Sequence, residues 1–140
     1  MITIKTDAAF QPKTHQGGIG IQILGDQMQE FIYHIPYISN NHLLEFLAID
    51  VALEYVCTHH SDDNMIILYS DSKIAIDSME KAYAKDESFK LILDNILKKT
   101  DVFKVFFCEW IPDQKNKRAD QLARQGLHKQ GNYFLLDQNW

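Results

Sequence analysis

Four acidic residues, Asp7, Glu45, Asp71 and Asp120, stand where apolar segments of this chain begin or end, and none is flanked directly by a basic residue. Acids at the ends of separate elements can converge in space. Converging carboxylates repel unless a proton or a cation lies between them, so such a set suits a divalent metal. Asp7 closes Ile2-Thr3-Ile4-Lys5-Thr6, whose β-branched residues and period-two alternation predict a strand. Asp71 closes Met65-Ile66-Ile67-Leu68-Tyr69-Ser70. That run is apolar almost throughout, as in a central strand covered on both faces. Neighbouring strands ending in these acids would hold the two carboxylates roughly 5–6 Å apart.

The remaining elements must bring Glu45 and Asp120 to the same place. After the first strand, Gln11 to Gln16 is polar and contains Pro12, a turn. Residues 17–24 and Gln29 to Tyr37 then alternate as two further strands, which with short links predict an antiparallel meander. From Asn41 to His59 the apolar residues Leu43, Leu44, Leu47, Ala48, Val51, Ala52, Tyr55 and Val56 keep helical spacing, with Asn40 or Asn41 as N-cap. Glu45 lies in the opening turns beside this apolar stripe, where it can point to the end of the sheet. Helices are predicted over Ser72–Ala84 and Ser88–Lys99, a last strand over Val102–Ile111 cut off by Pro112, and a final helix over Lys117–Lys129 capped by Asn116. Asp120 sits in its first turns. Gly131 is a plausible stop, and Tyr133-Phe134-Leu135-Leu136 through Trp140 is apolar enough to pack on the body or dock a protein partner. Three antiparallel strands followed by helix, strand, helices, strand and helix predict one α/β domain over residues 1–140, with a five-stranded mixed sheet and helices on both faces.

Composition narrows the setting. A chain of 140 residues with 46% hydrophobic side chains can bury one substantial core. No apolar stretch is long enough to span a bilayer and no basic leader precedes the first strand, so a soluble cytoplasmic protein without membrane contact is expected. Cys57 and Cys108 lack metal-ligand spacing and read as buried free thiols. The net charge of −5 runs against the basic face usual for nucleic-acid binders. Clustered metal-binding carboxylates would neutralise part of it, and Lys115, Lys117, Arg118, Arg124 and Lys129 crowd around Asp120 as a local phosphate-facing patch.

Taken in order, Thr6-Asp7-Ala8-Ala9-Phe10, Gly17-Gly18-Ile19-Gly20, Asn41-His42-Leu43-Leu44-Glu45-Phe46-Leu47-Ala48, Tyr69-Ser70-Asp71-Ser72, Trp110-Ile111-Pro112 and Asn116-Lys117-Arg118-Ala119-Asp120-Gln121-Leu122-Ala123 resemble type 1 ribonuclease H over nearly the whole chain. The resemblance implies a ribonuclease H-like fold and an endonuclease that cleaves the RNA strand of an RNA/DNA hybrid, leaving 5′-phosphate ends. It further implies that Asp7, Glu45, Asp71 and Asp120 are catalytic and hold two Mg²⁺ ions, with Mn²⁺ as a substitute. Asp7 would bridge, Glu45 and Asp71 would share one ion with it, and Asp120 would serve the other. Asn41 matches a position that contacts nucleic acid, with Ser39 and Asn40 assisting. Gly18 suits close backbone approach to the minor groove, and Lys117 and Arg118 suit phosphate contacts.

Three departures set the chain apart within that family. The loop before the last helix, Pro112-Asp113-Gln114-Lys115-Asn116, lacks the usual histidine, and only Lys85-Asp86-Glu87 stands where some members carry a basic helix. Ala8 replaces a usual glycine, and the first loop is not glycine-rich. These features match a subgroup lacking both the loop histidine and the basic protrusion. They leave room for a nucleic-acid-binding or protein-interaction module of the same fold with little turnover. Plainer roles suit other residues: Ser72 as a helix cap, His59 and His60 facing a helix end, and Trp110 as a core or rim aromatic, while His15 in the first loop lies in no motif that would assign it to substrate.

Overall fold

The computed structural model describes residues 1–129. Its strands are β1 (Ile2–Gln11), β2 (Gln16–Leu24), β3 (Met28–Ile35), β4 (Met65–Ser70) and β5 (Val105–Trp110). Its α-helices are α1 (Asn41–His59), α2 (Lys73–Lys81), α3 (Lys90–Thr100) and α4 (Lys117–His128). The sheet order is β3-β2-β1-β4-β5, with β1, β2 and β3 antiparallel and β4 and β5 parallel to β1. This is the mixed five-stranded sheet expected from the sequence. The expected stop at Gly131 and the apolar segment 133–140 lie outside the described residues.

Alternation along the strands sorts side chains between two layers. Ile2, Ile4, Ile66 and Leu68 are buried. They share the core with Leu44, Ala48, Ala52 and Val56 of α1. Helix α1 lies between the sheet and α3, which explains why Phe46 and Leu53 are as fully buried as Leu44 and Ile49. Phe46 stacks on Phe89 at 5.0 Å, and Lys99 of α3 pairs with Asp50 of α1. On the opposite face α4 packs on β1, β2 and β3.

That second contact depends on glycine. A Cβ on Gly18 would sit 2.1 Å from the Ala123 carbonyl oxygen, and one on Gly20 would sit 2.2 Å from that of Ala119. Both glycines are buried in β2 directly beneath α4, so Gly18 is a packing position. The expectation that it approaches nucleic acid is thereby corrected, because the helix backbone already fills the space above it.

Element ends shift where local chemistry overrides periodicity. Helix α2 stops at Lys81 because Ala82 takes a left-handed conformation (φ 54°), its N–H and that of Tyr83 bonding back to Met79 and Ser78 carbonyls. A 3-10 turn over Glu87–Phe89 precedes α3, and another over Asp113–Lys115 occupies the expected loop. Strand β5 starts at Val105, not Val102, since Val102 and Phe103 bond back to Lys99 and Thr100 in the turn that ends α3. Ser72 caps α2, its hydroxyl accepting from the Ala75 N–H at 3.2 Å.

Replacing Gly20 with alanine forces α4 off the sheet or the strand out of register. Overpacking of this kind costs about 3 kcal/mol, or about 10 °C in Tm for a domain of this size. Thermal melts of Gly20→Ala and Gly25→Ala should separate the two. At Gly25 the added Cβ meets only the terminal methyl of Ile2 at 2.6 Å, which can rotate away.

Candidate active site

The parallel register between β1 and β4 runs from Ile2↔Ile66 to Thr6↔Ser70. Asp7 and Asp71 therefore follow the last matched pair, one on each strand. Unlike the reading from sequence, β1 does not end here: it continues to Gln11 along its other edge, where Asp7 pairs with Gly20. Asp7 is thus held from one side by an unbroken ladder while its other side opens beyond the end of β4.

The electrostatic consequence is direct. Burial, the Asp71 carboxylate and, more weakly, Asp120 push the Asp7 carboxyl up to about 8, against a hydrogen bond from the Ala8 N–H. That bond measures 2.8 Å. Asp71 is raised to about 6, first by burial and then by Asp113, with Glu45 adding to it. The two carboxyl groups lie within hydrogen-bonding reach of one another. In this arrangement the pair holds a proton between its two carboxyl groups more readily than either would alone. Both can be ionised together only if something positive lies between them.

Several neighbours fix the pair. Asn116 is 1% exposed. It occupies the N-cap position of α4 but makes no capping bond. Its Nδ2 instead donates to the Thr6 carbonyl at 2.8 Å, and its side chain hydrogen-bonds Asp71. The expected cap is thus a cross-brace tying the start of α4 to β1 and to Asp71. The indole Nε1–H of Trp110 donates to the Asp71 backbone carbonyl at 3.1 Å, and the Ser72 N–H to Ser70 Oγ at 3.0 Å. No local sequence signal marks either role of Asn116 or Trp110, because both bonds cross between elements distant in sequence.

Glu45, half-buried in the second turn of α1, receives a hydrogen bond from Asn41 Nδ2 at 3.2 Å. Asn40 is the N-cap, its Oδ1 accepting from the Leu43 N–H at 2.8 Å, while Ser39 and Asn41 are exposed. Asp120 is not without a basic partner: Arg124, one turn later, pairs with it at 3.0 Å. Arg118 also departs from expectation. Its guanidinium grips Glu30 of β3 through two 2.7 Å bonds and strengthens the anchoring of α4, so it is occupied rather than free for phosphate. Lys117 remains exposed at the helix start.

Among the described residues no three His, Cys, Asp or Glu side chains are gathered tightly enough to hold a metal ion by themselves. The donor set nevertheless fits a hard cation that keeps much of its water. Mg²⁺ is bound by one or two carboxylates plus water and substrate phosphate rather than by a closed protein cage, and the Asp7–Asp71 pair, with Glu45 and Asp120 near its rim, offers that kind of open oxygen site.

The family model for RNase H matches residues 1–128. The chain belongs to the ribonuclease H family. Among relatives of this ribonuclease H, EbsB of Enterococcus faecalis is 36% identical over 92% of the chain and 96% of its own length. Ribonuclease HI of Synechocystis is 26% identical over 99% of the chain and 94% of its own length. LC11-RNase H1, solved in complex with an RNA/DNA hybrid, superposes with a TM-score of 0.81 at 23% identity, covering 91% of this chain and 96% of that one.

The raised Asp7 carboxyl makes a signed stability statement. A carboxyl whose folded value lies above its ordinary 3.8 disfavours the folded state once pH exceeds that ordinary value, and the cost grows until about pH 8. Asp7→Asn keeps the acceptor for the Ala8 N–H and removes the charge. In buffer free of divalent ions the variant should therefore melt higher than wild type at pH 8, by about 3–5 °C for ~1 kcal/mol, with the gap closing towards pH 4. A wild type at least as stable at pH 8 would remove the electrostatic account of the pair.

Proposed function

We propose that this ribonuclease H is a divalent-metal-dependent endonuclease that hydrolyses the RNA strand of RNA/DNA hybrids, leaving 5′-phosphate and 3′-hydroxyl ends. The observation that carries the reading is the enforced proximity of Asp7 and Asp71 at the end of the β1–β4 ladder, with Asp120 and Glu45 acting on the same two carboxyl groups. When bound, two Mg²⁺ ions, for which Mn²⁺ can substitute, supply an activated water and stabilise the leaving 3′-oxygen.

The chain's own residues prepare that chemistry. Asp7 and Asp71 present the oxygen ligands that would hold the ions, Asp7 serving both, and a cation between them would let the two carboxyl groups ionise together. Asn116 and Trp110 hold the backbone and side chain of Asp71 in place, so the ligand does not swing into solvent. Asn41 orients Glu45, and Asp120, now paired with Arg124, would be the fourth carboxylate to hold a cation. Exposed Lys115 and Lys117 stand at the start of α4, beside the carboxylates, where a nucleic-acid phosphate arrives. Asn41, Asn40 and Ser39, at the start of α1 beside Glu45, would meet the nucleic acid from that helix. Two free cysteines, Cys57 and Cys108, suit a reducing cytoplasm, and no helix among the described residues is long and apolar enough to cross a membrane.

A labelled hybrid incubated with Mg²⁺ or Mn²⁺ should be cut in its RNA strand by the wild type. Asp71→Asn should lower the rate about 10²-fold or more without abolishing the fold. Cleavage unaffected by that substitution would sink the site, and tight hybrid binding with no cleavage would favour a binding module instead.

A further inference from the structure

The turn between β1 and β2 contains a residue under backbone strain. His15 has φ 59°, a left-handed conformation that non-glycine residues rarely adopt. Strain of this kind persists where surrounding contacts impose it and marks candidate functional positions. Here the contacts are specific. The Ile38 N–H donates to the His15 carbonyl at 2.8 Å, and His15 Nδ1 meets the Ile38 carbonyl at 3.0 Å. The Ile38 carbonyl can only accept, so Nδ1 carries the hydrogen. The imidazole also lies flat on Tyr37, with ring centroids 5.3 Å apart and planes 13° from parallel, and meets Phe10 edge-on at 5.5 Å. Backbone, ring nitrogen and ring face together lock the β1–β2 turn onto the segment between β3 and α1.

That segment leads straight into Ser39, the cap Asn40, and Asn41 with its bond to Glu45. Tyr37, backed by the His15 ring, is 68% exposed. A large aromatic ring held rigid yet open to solvent offers contact area at little cost in conformational entropy. Phe10 lies three residues beyond Asp7 on β1, which is ~10 Å along a strand.

We propose that His15 is a positioning residue for substrate: it latches the first turn to the 36–41 segment and holds Tyr37 as a rigid surface against the hybrid, beside the start of α1 that carries Asn41 and Glu45. The latch acts on binding and leaves the carboxylates that perform hydrolysis untouched. It rests on the hybrid-cleavage reading above.

The test measures hybrid affinity in Ca²⁺ by fluorescence anisotropy and kcat and KM in Mg²⁺, with thermal melts, for wild type, His15→Ala, His15→Gly, His15→Asn and Tyr37→Ala. His15→Ala and His15→Gly should each raise Kd and KM about three- to tenfold with kcat unchanged. Glycine relieves the strained φ but loses the latch, so a wild-type His15→Gly would overturn the inference. His15→Asn tolerates the left-handed backbone and places an amide nitrogen where Nδ1 was, so it should recover part of the loss. Tyr37→Ala, a truncation at the surface, keeps the test open should His15→Ala fail to fold. If wild type cleaves the hybrid and all variants match it, the latch fails while the reading stands. If wild type binds without cleaving, the cleavage reading fails and the affinities still decide the latch. If wild type neither binds nor cleaves, both fall.

Discussion

Two carboxylates held together against their own repulsion organise this molecule. The β1–β4 ladder ends at Thr6↔Ser70, so Asp7 and Asp71 leave it side by side. Burial then raises both, Asp7 most. The fold does not relieve this conflict by separating the strands, because their apolar residues Ile4 and Leu68 are fixed in the core two rows below. A site that is uncomfortable without a cation is thereby built at the end of the ladder between the central strand β1 and β4.

The other elements serve that position from three directions. Helix α1 brings Glu45 from one face, and the close packing of α4 on Gly18 and Gly20 brings Asp120 from the other. Asn116 joins them, since one buried amide reaches both the backbone before Asp7 and the carboxyl of Asp71. The Glu30–Arg118 fork, in which the guanidinium holds Glu30 below its ordinary value, ties the start of α4 to β3. A displacement of α4 by even a fraction of a turn would carry Asp120 away from the pair, which is why glycines rather than alanines lie under it.

Much of this was legible in the sequence. Period-two runs gave β1 to β3, an apolar run gave β4, the helical stripe from Leu43 to Val56 gave α1, and the ordered motifs placed Asp7 and Asp71 on neighbouring strands with Glu45 and Asp120 on helices that act on them. What escaped was non-local. Asp7 looked like a strand end because the apolar pattern fades there, yet β1 has one neighbour that stops and another that continues. Gly18 looked like a site of nucleic-acid approach because a glycine signals a close backbone, without saying whose. Arg118 looked free because its partner Glu30 lies 88 residues away, and Asn116 looked like a cap because that is the local use of asparagine before a helix. Each of these misses turns on a neighbour that lies on another element.

Direct titration of Mn²⁺ or Mg²⁺ into the substrate-free protein by calorimetry addresses the paired carboxylates most simply. Wild type should bind the ion, and Asp7→Asn, which preserves the ladder and the Ala8 hydrogen bond while removing one charge of the pair, should weaken binding about tenfold or more. Equal affinity in the two proteins would show that the Asp7–Asp71 pair is not where the cation goes.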